Sequence, residues 1–402
     1  MELVYLYQLK KRTKLSMKFS YFKVSISCLV LLLPSLAIAQ TGTNTNGSST
    51  NSIPTAVPFL NISPDSRSGA LGDAGVAISP DVNANFWNPS KLAFLQDEDA
   101  VSLSYSPWLR HLVPDISLSY LSYAHKIDDR NAIGASLRYF NLGAIQLVDA
   151  SQNNQGTYRP SEYSVDFSFA RKFGDDFSLG LTGRYIHSDL SNESFATGSS
   201  QQTRAGNSVG VDISLYYKKS VEQFGTDAIF AFGTDISNIG NKISYSVGGT
   251  QYFLPTNLKI GAANTWNIDE YNQVTLTLDL NKLLVPTPPI RDSNGNIIQG
   301  KDDNISVPAG IFGSFTDAPG GFKEELQEIT YSPGVEYTFN KQFSLRAGYF
   351  YESPNQGSRQ YVTLGLGLKY DVFKFDFSYL AASQQNSPLA NTIRVSLSGS
   401  FK

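Results

Sequence analysis

A short glycine-containing segment of this chain carries a motif that is typical of serine hydrolases. Residues 206–210 read G-N-S-V-G, and in hydrolases this pattern forms a sharp turn between a strand and a helix that exposes the serine. Ser208 would need a histidine base, and the chain offers His111, His125 and His187. The segment leads into a strand rather than a helix, and His125 and His187 fall near opposite ends of predicted strands. We therefore predict no catalytic residue.

A second segment has the oxygen-rich composition of a calcium-binding loop. Asp292, Asn294, Asn296 and Asp303 have the spacing of oxygen ligands, but the sixth-position glycine and the terminal glutamate of such loops are missing. The pair of Asn294 and Gly295 is instead typical of a tight turn. Phosphate-binding, zinc-binding and dinucleotide-binding motifs are also missing from the sequence, so we predict no metal and no cofactor.

Strands must position these residues, because apolar and polar residues alternate over most of the chain. Every second residue of Tyr163–Phe169 is apolar, and a strand with this pattern has one apolar and one polar face. We predict an all-β, antiparallel fold of about fourteen strands. The predicted strands are Ala100–Ser106, Ile116–Lys126, Ala132–Leu142, Glu162–Phe173, Phe177–Leu190, Asn207–Lys219, Thr226–Ser237, Asn257–Trp266, Gln273–Leu284, Glu328–Phe339, Phe343–Tyr351, Gln360–Tyr370, Phe373–Leu380 and Thr392–Phe401.

The connections between these strands alternate between short turns and long polar loops. Turns such as 174–176 and 340–342 alternate with loops such as 143–161 and 191–206. Bacterial outer-membrane β-barrels have this rhythm, because their short turns face the periplasm and their long loops face outward. Residues 100–402 are therefore predicted to form a transmembrane β-barrel in contact with outer-membrane lipids.

Several charged residues fall on the polar faces of the predicted strands and should point into the barrel. We expect them to pair with one another and with water, although they could instead tune the selectivity of an open lumen. These residues are Asp166, Arg184, Asp212, Asp279, Arg346, Asp376 and Arg394.

The N-terminal region divides into three predicted segments. Residues 1–39 have a basic start, an apolar stretch and the tripeptide Ala37-Ile38-Ala39, which together indicate a cleaved secretory signal peptide. Residues 40–52 form a polar, flexible linker, and residues 53–99 form short helical turns and loops. The single cysteine, Cys28, lies within the signal. The net charge of −3 lacks the excess of basic residues that is typical of nucleic-acid-binding proteins.

The longest predicted loop, residues 285–327, combines prolines with aromatic residues. Loops of this length are usually functional or disordered, exposed aromatic residues anchor protein interfaces, and prolines reduce the entropy cost of ordering. We predict that this loop binds a partner protein, or alternatively that it covers the mouth of its own barrel as a lid. The residues expected to contribute are Pro286, Pro288, Pro289, Phe312, Phe315 and Phe322.

The segment from Ser63 to Ala93 resembles the N-terminal hatch of barrels similar to the FadL long-chain fatty-acid transporters. The resemblance implies that residues 53–99 form a hatch inside the barrel that plugs it from the periplasmic side. Small residues suit such a plug because they let turns pack tightly in a narrow lumen. The residues that match the pattern are Arg67, Gly69, Gly72, Gly75, Asn88 and Pro89.

The whole chain after the signal resembles the PorV family of type IX secretion system outer-membrane proteins. The most telling stretches are residues 55–60, 281–289 and 312–322. The resemblance implies a non-enzymatic protein that associates with the large translocon barrel. It further implies that the protein binds the C-terminal signal domain of cargo and shuttles the cargo to a surface attachment complex containing a sortase.

Two other functions compete with this one on the sequence alone. The hatch is also compatible with a FadL-like transporter of hydrophobic small molecules across the outer membrane, which is an analogy at the level of fold. An outer-membrane lipid hydrolase, such as a lipopolysaccharide deacylase, would need Ser208 and a histidine together at the membrane rim.

Overall fold

The computed structural model describes residues 51–108, 115–148, 153–190, 204–382, 389 and 391–402. The predicted signal peptide, nearly all of the predicted linker and His111 lie outside these residues. Among the described residues, the structure contains no helix with the length and hydropathy needed to cross a membrane.

Fourteen antiparallel strands close into a single barrel, which confirms the predicted fold class. The sheet closes because the first strand pairs with the last, with Leu103 opposite Leu397. The barrel strands are β1 (Asp99–Pro107), β2 (Ser117–Lys126), β3 (Asn131–Asn141), β6 (Ser161–Lys172), β7 (Phe177–Asp189), β8 (Gly206–Gln223), β9 (Thr226–Gly240), β10 (Asn257–Asn267), β11 (Asn272–Leu283), β14 (Thr330–Phe339), β15 (Phe343–Tyr351), β16 (Gln360–Tyr370), β17 (Phe373–Ala382) and β18 (Thr392–Phe401).

The remaining elements lie in the N-terminal segment and in two long loops. Two small hairpins are formed by β4 (Ile145–Val148) with β5 (Asn154–Tyr158), and by β12 (Ile290–Arg291) with β13 (Ile297–Gln299). The α-helices are α1 (Ser66–Gly69), α2 (Ala84–Trp87), α3 (Val307–Gly313) and α4 (Phe322–Gln327), and 3-10 turns span Pro58–Asn61 and Pro89–Phe94.

The alternation of the sequence becomes an apolar outer face and a polar inner face. On β6, Phe167 is 67% exposed, whereas Asp166 and Ser168 on either side of it are buried. Exposed leucine, valine and phenylalanine residues alternate in the same way with buried serines, threonines and charged residues around the barrel. This is the reverse of a water-soluble protein, so the outer face is suited to lipid.

Most predicted strand ends lie within two residues of the structure, whereas the C-terminal ends of β8 and β9 differ by more, with β9 continuing to Gly240 rather than ending at Ser237. β8 continues to Gln223 rather than ending at Lys219, because Phe224 and Gly225 both adopt positive φ and make a two-residue turn. Glu328 does not begin a strand but caps the C-terminal end of α4. The turn at Phe224 lacks the Asn-Gly signal that marks such hairpins. At Glu328 the backbone amide donates to the carbonyl of Glu324 and so continues the helix instead of a strand.

The N-terminal segment, residues 53–99, contacts the inner face of the barrel at both ends. Near the ends of strands that lead to long loops, Phe59 and Leu60 pack with Phe140 and Ile186. Near the ends that lead to short turns, residues 82–95 pack with buried alanines of β1, β2, β3 and β6. The segment is therefore in contact with the wall over much of its height, beyond the periplasmic end that the hatch resemblance implies.

One contact between the N-terminal segment and the wall is so close that only glycine fits. A Cβ at Gly348 on β15 would overlap backbone atoms of Leu71 and Gly72. Gly72 has a φ of +72°, and its amide donates to Thr363 Oγ1 at 2.9 Å. The missing side chain at 348 thus allows two backbones to touch.

We expect Gly348→Ala to lower the free energy of unfolding by about 1–3 kcal/mol, the usual cost of overpacking. The matched control is Gly183→Ala on β7, where no atom lies within 4 Å of the added Cβ and the change should stay within about 0.5 kcal/mol. Unfolding of both purified variants in detergent measures the difference. Equal stability of the two variants would contradict the close packing.

Candidate functional site

The loop between β11 and β14, residues 284–329, is an ordered structure that we call the outer loop. It contains the β12–β13 hairpin followed by α3 and α4. Pro286 is buried and lies against Gly310 of α3, which also faces the ring of Phe253 from another long loop. Its position between β11 and β14 places it on the side of the long loops, which is the outside of an outer-membrane barrel.

Lys282 holds the outer loop against the outside of the barrel wall. It stands on the same face of β11 as the exposed Leu278, because strand side chains alternate. Its Nζ donates to Glu325 Oε2 at 3.0 Å and also to Glu328 Oε2. A lysine on the lipid face is unfavourable without a partner of opposite charge. The partners of Lys282 come from the outer loop, because Glu325 and Glu328 both accept its hydrogen bonds.

Thr287 extends this buried network. Its hydroxyl donates to Glu328 Oε1 at 2.6 Å, and its amide donates to Asp317 Oδ2 at 3.2 Å. The amide of Ala318 donates to Glu325 Oε1 at 2.9 Å. Burial raises the pKa of Glu328 and that of Asp317 above the ordinary carboxyl values. The network ties α4, the turn before it and the start of the outer loop together.

Three predicted partner-binding residues form an exposed aromatic surface on this ordered base. Phe312 of α3 is 80% exposed, Phe315 is 46% exposed and Phe322 of α4 is 75% exposed. The ring of Phe315 lies 5.9 Å from Lys282 Nζ. Of the predicted prolines, Pro286 is buried, and Pro288 and Pro289 are partly buried. The aromatic residues thus face outward, while the prolines belong more to the support beneath them.

Arg67 joins the N-terminal segment to the inner face of the barrel. Its guanidinium donates twice to Glu336, at 3.2 and 3.0 Å, and once to Asp81 at 2.8 Å. Glu336 is also paired with Arg346, whose second partner is Asp376 at 2.8 Å. Lys374 also pairs with Asp376, at 3.2 Å, so three cations and three carboxylates balance one another in this largely buried cluster.

Gly75 and Asn88 are brought together around the backbone of Val76. The amides of Gly75 and Val76 both donate to Asp279, at 2.7 and 2.8 Å. Asn88 donates to the carbonyl oxygens of Val76 and Leu215, at 3.1 and 2.9 Å. The Nζ of Lys91 donates to the carbonyl of Gly75 at 2.7 Å.

Two other residues of the predicted hatch have more local roles. Pro89 opens the 3-10 turn that carries Lys91, and Gly69 lies against the side chain of Arg394. Arg394 in turn pairs with Asp73 at 3.0 Å.

The predicted pairing of the inward charges is confirmed for most of them. Arg184 bridges Asp166 and Asp212, at 2.7 and 2.8 Å, and Arg346 pairs with Asp376. Asp279 and Arg394 instead take their partners from the N-terminal segment. The inward charges are therefore engaged with each other and with this segment.

The serine-hydrolase hypothesis is wrong for Ser208. Residues 206–210 lie within the continuous strand β8, and Ser208 Oγ donates to the carbonyl of Asn241 at 2.8 Å. Ser208 is buried on the inner face. The neighbouring Asn207 is exposed on the outer face, and its Oδ1 lies 2.8 Å from Nδ1 of His187. The serine and the histidine thus lie on opposite faces of the wall. His125 lies beside Asp99 at 3.0 Å, near the short-turn end of the barrel.

The oxygen-rich segment around Asp292 is a turn. Asp292 accepts hydrogen bonds from the amides of Asn294 and Asn296, and Gly295 has a φ of +85°. Asp303 pairs with Arg291 at 2.6 Å. Within the described ranges, no group of three or more His, Cys, Asp or Glu side chains is arranged to hold a metal ion.

Sequence reasoning missed the network of Lys282, Glu325 and Glu328. One signal was available in the sequence, because a lysine interrupts the apolar face of β11. The residues on that face are Leu276, Leu278, Leu280 and Lys282. A charged residue at such a position needs a partner from elsewhere in the chain. The sequence does not show which carboxylates supply it.

We expect Lys282→Met to release the outer loop, because breaking a buried ion pair costs about 3–5 kcal/mol. A cost of that size predicts at least about a hundredfold faster protease cleavage within residues 290–327. The matched control is the triple variant Lys282→Met, Glu325→Gln and Glu328→Gln, which removes both unpaired charges and should recover most of the resistance. Limited proteolysis of outer-membrane fractions gives the rates. Wild-type resistance of the single variant would refute the anchoring role.

Several solved structures are similar to this barrel at low sequence identity. The Ralstonia pickettii toluene transporter TbuX is 12% identical, with a TM-score of 0.45, and the match covers 84% of this chain and 98% of TbuX. The Pseudomonas putida toluene transporter TodX is 12% identical, with a TM-score of 0.46 and coverage of 87% and 98%. A Pseudomonas aeruginosa FadL homologue is 12% identical, with a TM-score of 0.40 and coverage of 88% and 100%. No curated protein sequence matches the chain.

The sequence model of one protein family matches this chain. It is the model described as type IX secretion system protein PorV, and it matches residues 45–290, which is more than half of the chain. This match confirms the resemblance drawn from the sequence and agrees with an outer-membrane barrel. The chain belongs to the PorV family of type IX secretion system outer-membrane proteins.

Proposed function

We propose that this protein carries secreted cargo at the outer membrane. It binds the C-terminal signal domain of the cargo at the type IX translocon barrel and passes the cargo to the surface attachment complex that contains a sortase. Membership of the PorV family supports a place in this secretion system. The observation that carries the binding role is the exposed aromatic surface of Phe312, Phe315 and Phe322 on the outer loop.

The support beneath these aromatic residues favours binding. Phe312 lies on α3 and Phe322 on α4, and both helices belong to a loop that is tied down by Lys282 and Thr287. A surface that is ordered before binding loses less conformational entropy when the partner arrives. Large aromatic side chains on such a surface are typical anchors of protein interfaces.

The position of the outer loop favours a partner that lies in the same membrane. Lys282 is on the lipid-facing side of β11, and the carboxylates that cover it come from α4. Part of the outer loop therefore lies beside the barrel wall rather than over the lumen. A second barrel alongside could reach this surface, which fits the translocon as the protein that the aromatic residues contact.

The competing function, transport of hydrophobic small molecules, gains no support from the described residues of the lumen. Arg184 is held by Asp166 and Asp212, and Arg67 is held by Glu336 and Asp81. An apolar solute would have to displace these paired charges or the N-terminal segment. A lipid or detergent tail bound inside the lumen, with solute uptake lost on deletion of the gene, would favour transport instead.

We expect affinity purification from native outer membranes to recover the translocon barrel together with cargo that carries C-terminal signal domains. Mass spectrometry of the purified material identifies both. Membranes that contain an unrelated tagged barrel serve as the control for nonspecific recovery. If neither the translocon nor the cargo is enriched over that control, the proposed function is wrong.

We expect the triple variant Phe312→Ala, Phe315→Ala and Phe322→Ala to reduce recovery of the translocon at least tenfold. Interface anchors contribute about 2 kcal/mol each, and about 1.4 kcal/mol corresponds to a factor of ten. The matched control is Phe224→Ala, because Phe224 is 92% exposed but lies in a short turn at the opposite end of the barrel. Quantitative mass spectrometry compares the two variants at equal barrel abundance, and equal recovery would remove these aromatic residues from the interface.

A further inference from the structure

We propose that the chain runs through the barrel with its N-terminal end outward, so that residues 51–54 form part of the surface presented outside the cell. The proposal concerns the path of the N-terminal segment and is independent of which partner the outer loop binds. Only its extension, that residues 51–54 also contact that partner, rests on the proposed function.

The two ends of the barrel are distinguished by the lengths of the connections. Short turns join β2 to β3 and β8 to β9, whereas the connections at the other end include the outer loop and residues 241–256. In outer-membrane barrels the short turns are periplasmic and the long loops are extracellular. Contacts with the long loops therefore mark the outer end.

Asn51 is bound between two of these long loops. Its backbone amide donates to the carbonyl of Asn355 at 3.0 Å, in the loop between β15 and β16. Its side-chain amide donates to Glu324 Oε1 at 2.8 Å and to the carbonyl of Pro288 at 3.3 Å, both in the outer loop. All three acceptors lie at the outer end, so Asn51 lies there too.

The following residues close the outer mouth from within. The amide of Ala56 donates to the carbonyl of Phe253 at 2.9 Å, in the loop between β9 and β10. The ring of Phe59 stacks on Phe140, with 6.2 Å between centroids. Phe140 is one residue before the end of β3, where a long loop begins. The carbonyl of Leu60 accepts from Arg138 at 2.5 Å. This part of the segment is buried and fixed.

The other end of the N-terminal segment leaves the lumen at the periplasmic end. Leu92 and Ala93 pack in one cluster with Ala132 and Ala170, which lie beside the short turns. β1 then begins at Asp99, opposite His125 near the turn between β2 and β3. The segment thus enters at the outer end with Asn51 and leaves at the inner end with Asp99.

This path makes residues 51–54 neighbours of the aromatic surface. Glu324, which accepts from Asn51, is two residues after Phe322 in α4, and Pro288 is beside the partly buried Pro289. Ser52 and Pro54 are exposed. A protein that covers the outer loop would therefore also meet the N-terminal segment.

Cysteine labelling on intact cells tests this path. Single cysteines are placed at Ser52, at Gln251 in the loop between β9 and β10, and at Asp129 in the short turn after β2, all of which are exposed. Pro54→Cys provides a second position in the N-terminal segment, should Ser52→Cys fail to assemble. The wild-type chain, whose single cysteine is Cys28, gives the background. A membrane-impermeant maleimide is applied before and after permeabilisation of the outer membrane.

The expected result is that Ser52→Cys and Gln251→Cys are labelled on intact cells to a similar extent, while Asp129→Cys is labelled at least tenfold less until the membrane is opened. Labelling of Ser52→Cys only after permeabilisation, together with Asp129→Cys, would overturn the proposal. The Gln251→Cys and Asp129→Cys controls verify the loop orientation separately. Neither the controls nor the N-terminal positions depend on translocon binding, so failure of the proposed function leaves this test unaffected.

Discussion

The barrel depends on neutralising charges that strand alternation forces into its interior. A strand with lipid on one face must place its polar side chains on the other, where water is scarce and an unpaired charge costs several kcal/mol. Arg184 finds Asp166 and Asp212 on the neighbouring strands. Asp279 instead accepts from the amides of Gly75 and Val76, and Glu336 binds Arg67 of the N-terminal segment in addition to Arg346 of the wall. The wall and the N-terminal segment therefore supply charge partners and hydrogen bonds to each other.

This mutual dependence occupies much of the inner face of the barrel with contacts between the wall and the N-terminal segment. The segment contacts the wall at Phe59 near the outer end and at Ala93 near the inner end, and at Gly348 the two backbones touch. Among the described residues at the outer end, the outer loop is the longest connection, and Lys282 of β11 pairs with its carboxylates just as the charges of the lumen pair with one another.

The sequence predicts those features that repeat with a fixed period. Alternation identifies the strands, and the loop-length rhythm assigns their two ends, because both depend on neighbouring residues only. The turn at Phe224 was missed because a phenylalanine at positive φ is rare and its conformation is imposed by the pairing of β8 with β9. The segment around Ser208 leads into a strand as the sequence predicts, but only the structure shows that this strand places the serine on the buried inner face.

The candidate surface required contacts that no local pattern encodes. The sequence identifies three aromatic residues in a long loop, Phe312, Phe315 and Phe322. Their arrangement depends on the contacts of Lys282, which lies forty residues before Phe322 and binds Glu325 and Glu328. The same holds for Asn51, which reaches Asn355 across the chain. Contacts on both faces of one sheet thus place the outer loop and Asn51 side by side at the outer end of the barrel.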